Sequence, residues 1–218
     1  MKVLVFDVET TGLLPKNACS LDECPYIVQL SFAVYDITSR TIIHSYDTYV
    51  KIADEIEMDE KAQEITGIER KMLKKRGKSI ITALKTLHSA YNYCDVVIGH
   101  NINFDKKMIV IEMKRNEVQL KEKCPEVLRL FDLEYEKAKG ITSYCTMMNG
   151  ISICNIEVPS KHADKKTRKK WPKLSELYSN LYDGETIEGL HNSMVDVLVC
   201  LKCYIKMKHN MIDNAIKI

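Results

Sequence analysis

KVLVFDVETTG, residues 2–12, joins a nearly unbroken apolar run to two carboxylates and a turn. Val3, Leu4, Val5, Phe6 and Val8 read as a strand over residues 2–9 that is buried on both faces, and such a strand belongs in the middle of a sheet. Side chains two apart in a strand share a face, so Asp7 and Glu9 project together from its end. Two carboxylates this close raise each other's pKa unless a cation lies between them. Hard divalent cations such as Mg²⁺ and Mn²⁺ take carboxylate oxygens. The plainer alternative is a pair of solvated acids at a strand end.

Outward from this strand, residues 10–25 carry Gly12, Pro15 and Pro25 and read as a loop. YIVQLSFAVYD (26–36) and TIIHSYDTYV (41–50) read as strands, and the short connection 37–40 makes them a hairpin. Residues 57–66 read as a short acidic helix closed by Gly67, and residues 79–93 as an amphipathic helix. DVVIGHN (95–101) is a short buried strand, 103–116 a helix, 142–147 a strand, and 173–182 and 193–208 are helices. This order predicts an α/β fold, a mixed sheet with helices on both faces, in a single domain spanning 1–218. Between Val158 and Trp171 the chain shows no hydrophobic period. From Lys161 to Lys173 it reads as a basic loop.

Composition narrows the functional classes. The 218 residues are 45% hydrophobic, enough for one sizeable core. The net charge of +2 does not exclude a nucleic-acid ligand, because clustering of charge matters more than its sum. No apolar run has the length of a membrane span, and MKVLVFDVET is too short and too acidic for a signal peptide. The expected location is cytoplasmic or nuclear, not secreted. The eight cysteines are expected as reduced thiols. Cys19-x4-Cys24 and Cys200-x2-Cys203 have spacings that zinc sites use, but no second tight pair lies nearby.

Further acids stand at other element boundaries. Asp105 closes GHNINFD, where an acid in a first helical turn also suits the helix dipole. Asp196 closes HNSMVD, where Ser193-x-x-Asp196 also reads as a variant capping box. His191, five residues before Asp196, is ordinarily a surface residue; beside an activated water it is a candidate general base.

Taken in order, FDVETTG with Asp7 and Glu9, GHNINFD with Asp105, and HNSMVD with His191 and Asp196 resemble the three motifs of the histidine subclass of DEDD 3′–5′ exonucleases. That family includes ribonuclease T, oligoribonuclease and polymerase proofreading subunits. EITGIERKML and KWPKLSELYSNLY resemble the family's intervening segments, so the likeness covers roughly 2–207. The tyrosine subclass would place a tyrosine at Asn192. The resemblance implies a ribonuclease H-like fold with a five-stranded mixed sheet flanked by helices. It implies two divalent ions, Mg²⁺ or Mn²⁺, held by Asp7, Glu9, Asp105 and Asp196, with His191 as base. It also implies a 3′-end of single-stranded DNA or RNA as substrate, and a polymerase or a second copy as partner.

Candidate substrate contacts follow. Thr10, Thr11, Gly12 and Leu13 would seat the terminal nucleotide, with His100, Asn101 and Phe104 beside it. Phe104 has a core alternative, and His100 the alternative of a satisfied strand-end histidine. In the basic loop, Lys165, Lys166, Lys169 and Lys170 are candidates for the phosphate backbone; the run 70–78 reads as a solvated face. A rival reading, a catalytically inactive nucleic-acid-binding or scaffold module of the same fold, expects one or more of the five residues to be lost, and all five are present.

Overall fold

The computed structural model describes residues 1–16, 20–160 and 166–218. β1 (Lys2–Thr10) is the centre of a five-stranded sheet with β2 (Ile27–Asp36), β3 (Thr41–Tyr49), β4 (Val96–Gly99) and β5 (Thr142–Cys145). The order is β3-β2-β1-β4-β5. β1 pairs antiparallel with β2, and β2 with β3; β4 and β5 run parallel to β1. The carboxyl ends of β1, β4 and β5 therefore lie along one edge of the sheet.

The continuous apolar run in β1 serves two cores. Leu4, Phe6 and Val8 pack in a cluster with residues of α3 (Ile80–Tyr91) and α4 (Ile102–Arg115), among them Leu84, Leu87 and Met108. Val3 and Val5 pack on the opposite face with α8 (Leu174–Leu181) and α9 (Ser193–His209), through Leu177, Val197 and Leu201. Burial of such side chains stabilises by roughly 1.5–3 kcal/mol each. The expected mixed sheet with helices on both faces is the fold observed.

Ends of elements follow local chemistry. Asp59 accepts hydrogen bonds from the N–H groups of Lys61 and Ala62 and starts α1 at Glu60, later than residue 57. Gly67, at φ 67°, closes α1 (Glu60–Thr66) in the left-handed region that glycine tolerates. The basic run 70–78 forms α2 (Arg70–Arg76), solvated except for buried Leu73.

Several elements differ from expectation. The strand expected over 142–147 stops at Cys145, because α7 (Thr146–Cys154) begins there. α5 (Glu117–Lys123) and α6 (Leu133–Lys139) are seven-residue helices, and α6 buries no residue, so their sequences carry little amphipathic signal. The basic stretch is not wholly loop. β6 (Glu157–Pro159) and β7 (Thr167–Lys169) pair antiparallel, too short to show a hydrophobic period. Of the zinc-like spacings, Cys200 and Cys203 are buried core residues of α9, and Cys19 lies outside the described residues. Among the described residues no helix is long and apolar enough to cross a membrane.

Candidate active site

Asp7 and Glu9 leave β1 on the face covered by α9, and Asp196 sits in the first turn of that helix. The three carboxylates each place an oxygen within 4.8 Å of the others, the one such convergence of His, Cys, Asp or Glu among the described residues. The Asp196 Oδ2 accepts a hydrogen bond from the His191 backbone N–H at 3.2 Å. Its Oδ1 is buried without a hydrogen-bond partner. An unpaired buried carboxylate oxygen is costly unless a cation or donor completes it.

Asp105 reaches the same end of the sheet from the other face, on α4. Pairing of β1 with β4 ends at Val5↔Ile98, so beyond Val5 β1 keeps β2 on one side and has no strand on its β4 edge. The Asp105 Oδ1 accepts the Val8 N–H at 3.2 Å in that gap. Asp105 is buried and stands outside the tight group of three.

The electrostatics match a crowded, dry acid cluster. Asp7 is pushed well above the usual carboxylate range by burial, then by the charges of Asp105, Asp196 and Glu9. Burial, then Asp196 and Asp105, raise Glu9 to about 8. Burial raises Asp196 to about 6, opposed by the His191 N–H. Burial raises Asp105 as well, opposed by the Val8 N–H. Carboxylates whose pKa values are raised for want of positive charge, one of them with an orphaned oxygen, fit a hard divalent cation.

α9 is aimed by contacts that sequence reasoning missed. The capping box that Ser193-x-x-Asp196 offered as the alternative reading does not form. Asn192 caps α9, its Oδ1 accepting from the N–H groups of Met194 and Val195. Ser193 is buried, and its Oγ donates to the Asp7 backbone oxygen at 3.1 Å. The Ser193 N–H meets the Gln29 Oε1 at 3.4 Å. The Gln29 Nε2 and the Ser31 Oγ both donate to the Asp47 Oδ1, at 2.8 and 2.7 Å. A polar path thus runs from exposed Asp47 on β3 through buried Gln29 and Ser31 on β2, with Gln29 continuing it to Ser193 of α9 and the Asp7 main chain. The available signal was Gln29 and Ser31, two polar residues at alternate positions of an otherwise apolar strand.

The remaining candidates divide. His191 is exposed at the loop–helix junction with φ 71°. Thr10 donates to the Gly12 oxygen, and Thr11 pins the base of the following loop by exchanging hydrogen bonds with Tyr26. Leu13 is 90% exposed, beyond this pinned base. Asn101 is exposed at φ 69° before α4, and Phe104 is half-buried against the larger core. His100 is committed internally. Its Nδ1 is 3.0 Å from the Thr146 Oγ1, and its Nε2 is 3.0 Å from the Pro172 oxygen. Burial lowers it to about 4, so it is neutral at neutral pH and has no free ring nitrogen for a substrate. Lys169 pairs with Glu157 at 2.7 Å, and Lys170 pairs with Glu176, so each of these expected phosphate contacts has a carboxylate partner in the fold. Lys166 is exposed, and Lys165 lies outside the described residues.

Comparison with known proteins identifies the fold and the family. No curated protein sequence matches the chain. Among solved structures, E. coli Exonuclease I in complex with a dT13 oligonucleotide superposes with a TM-score of 0.64 at 17% identity, over 96% of this chain and 42% of that one. Another Exonuclease I structure gives 0.66 at 18%, over 96% and 41%. The Exonuclease I of Methylocaldum szegediense gives 0.62 at 19%, over 96% and 41%. These likenesses establish a shared fold, and the chain spans about two fifths of the length of those proteins. Residues 4–204 match the RNase T family, described as exonuclease, and the chain belongs to that exonuclease family.

Proposed function

We propose that this chain is a 3′–5′ exonuclease of the histidine subclass, acting as one domain on single-stranded DNA or RNA and releasing 5′-mononucleotides. The observation that carries this reading is the convergence of Asp7, Glu9 and Asp196, with the orphaned Asp196 Oδ1 inside it. These three would hold a divalent ion, and Asp105 would support a second from the opposite face. When bound, two Mg²⁺ or Mn²⁺ ions would supply the positive charge that offsets the carboxylates and the phosphate and makes water acidic enough to attack.

The chain's own groups do the rest. His191, exposed beside Asp196, accepts a proton on a ring nitrogen from the attacking water. The water oxygen bonds to phosphorus, and the bond from phosphorus to the 3′ oxygen of the preceding nucleotide breaks. That oxygen takes a proton from solvent water and becomes the new 3′-OH. The loop base at Thr10 and Thr11, held by its own hydrogen bonds, seats the terminal nucleoside, with exposed Leu13 against its base. The deoxyoligonucleotide complexes of Exonuclease I support a single-stranded ligand. The test is mononucleotide release in Mn²⁺ by the intact chain and by Asp7→Ala; the variant is expected to be inactive, and an active variant would refute the site.

A further inference from the structure

The reaction leaves the chain's single tryptophan without a role. Trp171 is 59% exposed and follows directly after Arg168, Lys169 and Lys170. Its neighbour fixes its place. Pro172 is buried, and its carbonyl oxygen lies 3.0 Å from the His100 Nε2. A Cβ built on Gly150 would meet the Pro172 ring at 3.3 Å, so α7 closes on it from the other side.

His100 follows Gly99, the last residue of β4, and its partner Thr146 follows Cys145, the last residue of β5. Trp171 therefore stands near the carboxyl ends of β4 and β5. Asp7 and Glu9 emerge from the same edge, at the end of β1. Thr146 also lies 3.4 Å from the Cys200 Sγ, one turn beyond Asp196 on α9. Direct contacts thus link the tryptophan's support to the helix that carries the third acid.

Charge distinguishes the two flanks of the acid cluster. Beyond Thr11 and Gly12, an open cleft of about 460 Å³ is lined by Asp22, Glu23, Glu55, Glu57 and Asp59, and among the described residues no lysine or arginine lines it. A phosphate backbone is repelled there. On the other flank, Arg168 and Lys166 are exposed, and no carboxylate among the described residues pairs with them. Lys169 and Lys170 brace this flank through Glu157 and Glu176.

We infer that Trp171 is a stacking platform for a nucleobase of the single strand, on the 5′ side of the scissile phosphate, with Arg168 at a neighbouring backbone phosphate. The inference rests on the exonuclease reading and adds the path of the strand: it arrives over β4 and β5 and ends at the acidic cleft, where a further phosphate is unwelcome. A large aromatic face with cations beside it suits sequence-tolerant binding of single strands.

The test uses the fluorescence of the intact chain, in which Trp171 reports alone. Oligo(dT) and oligo(U) are titrated with divalent ions chelated, and again with Asp7→Asn in Mg²⁺, while anisotropy of labelled strands measures binding. Quenching should follow the binding curve, and an abasic oligomer of equal length should not quench. Trp171→Ala should weaken binding by about tenfold, with Trp171→Phe in between. Binding that leaves the fluorescence unchanged, or equal affinity of Trp171→Ala, overturns the platform. Quenching without 3′-end hydrolysis in Mn²⁺ overturns the exonuclease reading and leaves the platform standing.

Discussion

The Asp105 carboxylate accepts the backbone N–H of Val8, 97 positions earlier in the chain, at 3.2 Å. It fills the place of a strand that stops short, since β4 ends at Gly99 and the chain turns into α4. One acid therefore closes the main chain of β1 and brings a charge to the Asp7 cluster. The two roles separate by substitution. Asp105→Asn keeps an acceptor for Val8 and should unfold no earlier in urea than the parent, yet lose nearly all turnover. Asp105→Ala leaves a buried N–H unpaired and should be less stable than Asp105→Asn by about 1–3 kcal/mol.

The acid cluster makes metal-free stability depend on pH in a defined direction. The folded pKa values of Asp7, Glu9 and Asp196 lie above their ordinary values. Their protonated forms favour the fold, and that contribution is lost as pH rises through about 6 for Asp196 and about 8 for Glu9. With divalent ions chelated, thermal unfolding should move to lower temperature from about pH 5 to about pH 8. Mn²⁺ should restore stability more at the upper end, where fewer protons compete with it. Glu9→Gln should flatten the metal-free profile; an unchanged slope would show that Glu9 is not buried among like charges.

Ser193 ties α9 to the Asp7 main chain, and Gln29 ties Ser193 to Asp47. Ser193→Ala is expected to weaken Mn²⁺ binding by roughly tenfold or more, as loss of a group that orients metal ligands does. Gln29→Leu strands the Ser193 N–H and should couple to Ser193→Ala by about 0.5–3 kcal/mol in a double-mutant cycle. Strict additivity in calorimetric Mn²⁺ titrations would mean that the path does not act as a unit.

His191 is exposed, so its ring contributes little to the fold. His191→Ala should keep the parent's unfolding temperature and Mn²⁺ affinity while turnover falls by about 10²–10⁴-fold, the usual range for loss of a general base. A full rate in the variant would remove the imidazole from the reaction.

The parts of this molecule that could be read in advance are those with a strong local pattern. The unbroken apolar run of β1 and its paired acids announced both the central strand and the cluster at its end. Gly67 announced the close of α1. Short elements gave no such signal: α6 buries nothing, and the strands of the β6–β7 hairpin are three residues each. Contacts across the fold were equally silent. Whether His100 faces a substrate or Thr146 and Pro172, and whether Lys170 meets a phosphate or Glu176, depends on chain segments brought together only in three dimensions. Ser193 is the instructive case. A helix-start serine suggests a cap, but Asn192 takes that role and frees the hydroxyl for Asp7.

The central claim is that Asp7, Glu9 and Asp196 act with divalent ions to remove nucleotides from a 3′-end. The most direct measurement is a time course on a single strand labelled at its 5′ end, in Mn²⁺, with aliquots chelated before sampling. The account predicts a ladder shortening one nucleotide at a time from the 3′ side, absent from the chelated samples. A labelled mononucleotide appearing first, internal cuts, or an equal ladder under chelation would contradict it.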